Sequence, residues 1–193
     1  MKRLTALLTA VIAIGVLAGC SEKTGGNANT TAPTTGEQTG STPTSSGSST
    51  GLSIAKFVDK PCDLVTAAQL PKLGSVRAPE TASSTIGPRC DWKGQDVIKN
   101  STYRVAVTKD KSVEDMIANV KNSAVFTDHK VDGIRFVTYD ATDASIDCRT
   151  IIEVSDTDSV TSSVSIASAE RAAKKPCTES EVFAKMIVET LKG

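Results

Sequence analysis

Five cysteines constrain this chain more than any other feature, because their number is odd and their placement uneven. Cys20 stands alone at the end of an N-terminal apolar run, whereas Cys62, Cys90, Cys148 and Cys177 are spread through the remainder. Lys2 and Arg3 give the run a positive start, and Leu4 to Leu17 is almost unbroken apolar sequence. Ala18 and Gly19 then supply the small residues that a signal peptidase accepts, so residues 1–19 read as an export signal. The run falls short of the ~20 apolar residues that cross a bilayer, which makes a retained transmembrane helix the weaker reading.

Leu17, Ala18, Gly19 and Cys20 resemble a bacterial lipobox, in which the peptidase cuts before a cysteine already joined to diacylglycerol. Lipidation of Cys20 removes the odd thiol, and several acyl chains at about 0.8 kcal/mol per buried methylene would hold the chain on a membrane. The other four cysteines then form an even set in an oxidising compartment, where two disulfides are expected. Three connectivities are possible. Cys62 with Cys90 and Cys148 with Cys177 is the favoured one, since each pair closes a loop of about 30 residues, worth roughly 3 to 4 kcal/mol of chain entropy. A metal site is the poorer alternative, because no cysteine pair has the short spacing of a zinc ligand set and His129 is the single histidine.

From Ser21 to Gly51 the chain is almost wholly Ser, Thr, Gly, Pro, Asn and Ala, a composition that cannot offset its ordering entropy. Residues 20–52 are therefore expected to be a lipidated cysteine followed by a tether, whose clustered threonines also resemble glycosylated stalks. Residues 53–193 are left for one domain of about 140 residues, enough for a single core. The 22 basic and 22 acidic residues cancel, so there is no basic footprint for nucleic acid. The 4 % aromatic content argues against stacking platforms for single strands or sugars.

Thr66 and Gln69 have the spacing of a capping box and predict a short helix over 67–73, although Pro71 is awkward within it. Cys90 and Trp92 alternate in a strand near 90–94, with Trp92 expected to pack over a disulfide, and Tyr103, Val105 and Val107 alternate in a second strand. Ser112 with Asp115 opens a helix whose Val113, Met116, Ile117 and Val120 form one apolar stripe. A turn at Asp132 and Gly133 leads into Ile134, Phe136 and Val137. A long strand then places Ile146, Cys148, Ile152 and Val154 on one face, and a hairpin turn at 156–158 precedes Val160, Val164 and Ile166. Thr178 with Glu181 reads as the cap of a last helix burying Val182, Phe183, Met186, Ile187 and Leu191. The order predicts an α+β domain, an antiparallel sheet of about five strands with helices packed on it and two disulfides.

Candidate chemistry is sparse. His129 lies in the polar stretch 127–130 without a nucleophile elbow, and the cysteines are accounted for as bridges. Asp140, Asp143 and Asp147 cluster in a polar, turn-like stretch that lacks the glycine and terminal glutamate of a calcium loop. Phosphate-loop and dinucleotide fingerprints are absent. The expectation is a protein that is not an enzyme and takes no cofactor or metal. Arg104, Arg135 and Arg149 alternate against apolar neighbours on three predicted strands, so they are expected to share the face opposite the core, where they could meet an anion or an acidic partner.

Pro61 to Thr66, then Cys90, Asp91 and Trp92, then Val131, Asp132 and Gly133, then Cys148 and a late Cys177 before a terminal helix form an ordered series. The series resembles the actinobacterial lipoproteins grouped as domain of unknown function 3558, over about Phe57 to Leu191. That resemblance implies a surface lipoprotein with two disulfides and brings no catalytic residues with it. The functional expectation is a membrane-anchored, extracytoplasmic binding or interaction module of the cell envelope, partnered by an unidentified envelope protein or small ligand. A carrier or sensor of a small apolar ligand is the alternative, and a hydrolase a more distant one.

Overall fold

Residues with side chains of alternating character, from Glu80 onward, pair into one antiparallel sheet in the computed structural model, which describes residues 50–193. Its strands are β1 (Glu80–Ser84), β2 (Gly87–Trp92), β3 (Thr102–Thr108), β4 (Val125–Val131), β5 (Ile134–Asp140), β6 (Asp147–Glu153) and β7 (Ser159–Ser165). Two helices accompany them, α1 (Val113–Ile117) and α2 (Pro176–Leu191). The spatial order β1-β2-β3-β7-β6-β5-β4 makes the sheet seven strands wide, not about five. The two strands that sequence reading did not separate, β1 and β4, are the two edges. An edge strand has one neighbour and little apolar burial to mark it, and charged or polar residues there discourage pairing with another chain.

The main core lies between the sheet and α2. Period-two alternation sends Cys90 and Trp92, Tyr103, Val105 and Val107, Ile134 and Phe136, Ile152, and Val160 and Val164 to this side, where Phe183, Ala184, Ile187 and Leu191 meet them. The Phe183 ring makes edge contacts with Trp92 and Tyr103, at centroid separations of 6.0 and 5.3 Å. Leu52, assigned to the tether on composition, is only 4 % exposed in this core, so the folded domain begins before residue 53. Cys20 and the rest of the Ser/Thr-rich stretch lie outside the described residues.

The disulfides join Cys62 to Cys90 and Cys148 to Cys177. The first fastens a single-turn 3-10 helix, Pro61–Leu64, to β2, and the second fastens the start of α2 to β6. The expected helix over 67–73 shrinks to a 3-10 turn at Leu70–Leu73, because Pro71 has no N–H to donate and Gly74, at φ 79°, turns the chain away. The Gln69 Oε1 still accepts the Thr66 N–H at 2.9 Å, which is the reach-back half of the box. Its Nε2 donates to the Met186 carbonyl, tying this segment to α2.

Helix α2 starts two residues earlier than its expected cap, with Pro176 in its first turn, where a missing N–H costs nothing. Thr178 therefore lies inside the helix, and no side chain caps its N-terminus. Val182 points outward at 56 % exposure and Ile146 is 43 % exposed, both contrary to the burial expected of them. On the opposite face of the sheet, Val113, Met116 and Ile117 of α1 cover Val137, Tyr139 and Ile151. The α1 capping box forms in full, Asp115 N–H donating to Ser112 Oγ and Ser112 N–H to the Asp115 carboxylate. Asp132 and Gly133, at φ 51° and 81°, make the two-residue β4–β5 turn, whose positive angles suit the twist of a hairpin.

Candidate functional site

Strand register builds the site. Arg104 of β3 stands opposite Ser163 of β7, which stands opposite Arg149 of β6. At about 4.8 Å per strand spacing, the two arginine Cα atoms are roughly 10 Å apart, within reach of a common point over Ser163. In the next row, Arg89 of β2 faces Ala106 of β3, and Ala106 faces Thr161 of β7. All of these belong to the face opposite α2. Small side chains at positions 106, 161 and 163 leave a dip between long arginines, and α1 covers the sheet only farther along, over β5 and β6. The β1–β2 turn, Ser84 to Ile86, forms the remaining wall and closes a recess of about 430 Å³.

Gly87 allows that wall to stand where it does. Its φ is 129°, and a Cβ there would lie 2.0 Å from the Val107 carbonyl oxygen, so any other residue must displace one strand from the other. The Thr108 hydroxyl donates to the Ile86 carbonyl at 2.7 Å and fixes the turn to β3.

The three recess arginines differ in what they have left to give. Arg89 is paired with Asp91, Nη2 donating to one carboxylate oxygen at 3.1 Å while Nε lies 2.8 Å from the other without hydrogen-bond alignment. Asp91 is 5 % exposed, so the pair is internally neutral. Arg104 donates Nη1 to Ser165 Oγ at 3.0 Å and has no carboxylate within 4.0 Å among the described residues. Arg149 is exposed, with no carboxylate within 4.0 Å and no side-chain hydrogen bond among the described residues, and its charge reaches Asp140 from farther away. The Thr161 hydroxyl is buried without a partner in a residue 4 % exposed that lines the recess. Two positive charges and a spare hydroxyl therefore border one cavity. Such an arrangement suits an oxyanion, which accepts several charge-assisted hydrogen bonds at once.

Of the three arginines picked out by alternation, Arg135 also lies on this face but does not line the recess. It is held by Asp128 at 2.7 Å and by Glu114 of α1, and both carboxylates push its guanidinium pKa above the ordinary value. Arg89 and Thr161 escaped the sequence reading. Arg89 was legible as the outward neighbour of Cys90 in an alternating strand, whereas nothing local marks Thr161, since its role arises from its cross-strand partners.

The acidic cluster is dispersed into local structure. Burial works to raise the Asp140 carboxyl, but hydrogen bonds from the Thr142 side chain and backbone and from Ala144 N–H, with the nearby Arg149 charge, outweigh it and hold it low. Asp143 accepts from Ser145, which lowers it, and Asp147 accepts from the Ser165 hydroxyl. His129 sits on β4 with Nε2 3.7 Å from Glu181. Glu181 accepts from Thr138, which continues into a buried chain of hydroxyls through Thr150, Ser180 and Ser162. Ser180 belongs to α2 and is fully buried where the helix meets the sheet, out of reach of a substrate. Among the described residues, no three His, Cys, Asp or Glu side chains are placed to hold a metal ion, and no helix is long and apolar enough to cross a membrane. A second cavity, about 220 Å³, is lined by Leu73, Tyr103, Val182, Phe183 and Met186 beside α2. It is smaller than the ~300 Å³ at which ligand pockets usually begin.

A family model described as protein of unknown function (DUF3558) matches residues 15–190. The chain belongs to this family. No curated protein and no solved structure matches it. DUF3558 membership agrees with the ordered series of cysteine, tryptophan and Asp-Gly motifs, which the fold distributes to the two bridges, the α2 core and the β4–β5 turn.

Proposed function

We propose that this DUF3558 protein is a lipid-anchored lipoprotein of the cell envelope, whose domain is a non-catalytic module that binds an anionic partner outside the cytoplasm. The observation that carries the binding reading is the recess lined by Arg104 and Arg149, neither of which has a carboxylate within 4.0 Å among the described residues. Exposed cations usually gain only a little from pairing, but guanidinium groups framing a concave site attract and orient an anion. The anchor rests on the N-terminal residues alone. A positive start, an apolar run and Leu17-Ala18-Gly19-Cys20 supply the signal and the lipid acceptor. The low-complexity stretch after Cys20 would give the domain reach from the membrane surface.

Crosslinking of intact cells carrying the native-length protein, followed by mass spectrometry, tests this reading. Membrane fractionation should show acylated protein, with release of a Cys20→Ala version. A crosslinked partner retained by Arg135→Glu and lost by Arg104→Glu/Arg149→Glu is the expected result. Partner capture indifferent to both recess arginines would refute it. A lipid co-purifying in stoichiometric amount would favour the carrier reading, with the cavity beside α2 as its site.

A further inference from the structure

We propose that the recess takes a phosphate monoester, the phosphoryl group lying over Ser163 between the guanidinium groups of Arg104 and Arg149. The inference rests on the anionic-partner reading and names the chemistry of that partner. Charge decides between anions. Arg89 is neutralised by Asp91 at 2.8 Å, so among the described residues the recess cations without a carboxylate within 4.0 Å are Arg104 and Arg149. A phosphate monoester carries close to two negative charges at neutral pH, whereas a single carboxylate, a sulfate ester or a phosphodiester carries one.

Geometry agrees with charge. The arginines approach from strands on either side of β7, so a bound group is gripped from two opposed directions. A tetrahedral phosphoryl group can present oxygens to both, while a planar carboxylate engages one fork at a time. Ser163, directly beneath, can donate a third hydrogen bond. Thr161, which lines the recess and whose hydroxyl is buried without a hydrogen-bond partner, offers a fourth donor at its floor. Ala106 and Ile86 supply apolar wall for the carbon part of the ester.

Calorimetric titration of the full chain with phenyl phosphate, phenyl sulfate and phenylacetate tests the assignment. Phenyl phosphate should bind saturably, with phenyl sulfate and phenylacetate at least about tenfold weaker. Arg104→Gln and Arg149→Gln should each weaken phenyl phosphate by about tenfold or more, Thr161→Val by a few-fold, and Arg135→Gln not at all. Thermal melts of the same samples check that the variants are folded. If the three probes bind alike and the recess variants weaken all of them, the phosphate assignment fails while the anion site stands. If no probe saturates, or the recess variants bind as the parent does, both fail. Flotation of the Cys20→Ala chain with phosphatidic acid vesicles separates the two sources of the ester. Arginine-dependent flotation identifies a lipid headgroup, and phenyl phosphate binding without flotation identifies a soluble ester.

Discussion

Replacing Cys148 and Cys177 together by alanine removes the bridge between β6 and the start of α2 and leaves the other bridge intact. The two cysteines are 29 residues apart. A closed loop of about 30 residues restricts the unfolded chain by roughly 12 cal/mol/K, which is about 3.6 kcal/mol at 25 °C. Cys148 is fully buried, so its lost sulfur adds a packing cost of about 1 kcal/mol. With an unfolding entropy near 0.3 kcal/mol/K for about 140 residues, the melting temperature should fall by roughly 12 to 15 °C. Urea unfolding of parent and double variant, followed by Trp92 fluorescence, gives the free-energy difference directly. The Cys62/Cys90 double variant is an internal standard, because its separation of 28 residues predicts nearly the same entropic term. A loss below about 1 kcal/mol for either pair would refute the assumption that these bridges act mainly on the unfolded chain.

Other consequences follow from single contacts. Thr150 is fully buried and bonded to the hydroxyls of Thr138 and Ser180, so Thr150→Val should cost about 1–3 kcal/mol in urea titrations, and adding Ser180→Ala should cost less than the sum of the separate changes. Gln69→Leu keeps the volume but strips the bonds to Thr66 and Met186, and should destabilise by a similar amount. Burial works to raise the Glu170 carboxyl, but hydrogen bonds from Lys174 and from the Ser101 side chain and backbone outweigh it and hold it below its ordinary value. Its stabilising effect is thus complete above the unfolded value of 4.5 and is lost as pH falls through the lower folded value. Glu170→Gln should be less stable than the parent by roughly 1 kcal/mol at pH 6, with the gap narrowing toward pH 3 in melts across that range.

The legible parts of this molecule were those in which one residue type does a local job. Alternation in Tyr103, Val105 and Val107 announced β3, Asp132-Gly133 announced a turn, and Ser112 with Asp115 announced the start of α1. The edge strands were hidden because Glu80–Ser84 and Val125–Val131 owe their form to a single neighbour and bury few apolar side chains. Thr178 has the right spacing for a cap, but Pro176 is better suited to a first turn, and the helix follows the proline. Alternation put Arg104, Arg135 and Arg149 on one face, yet it carries no information about which strands are adjacent. The pairing of β3 and β6 with β7 brings two of them together and draws in Arg89 and Thr161, while α1 and β4 occupy Arg135.

Anion binding on the Arg104–Ser163–Arg149 row can be observed at the arginines themselves. Nuclear magnetic resonance of the 15N-labelled full chain, reading the arginine Nε–H signals and the backbone amides of β7 as phenyl phosphate is added, tests it most directly. Saturable shifts concentrated on Arg104, Arg149, Thr161 and Ser163, with Arg135 unmoved, are predicted. Shifts that never saturate, or that centre on residues away from this row, would rule out an anion site there.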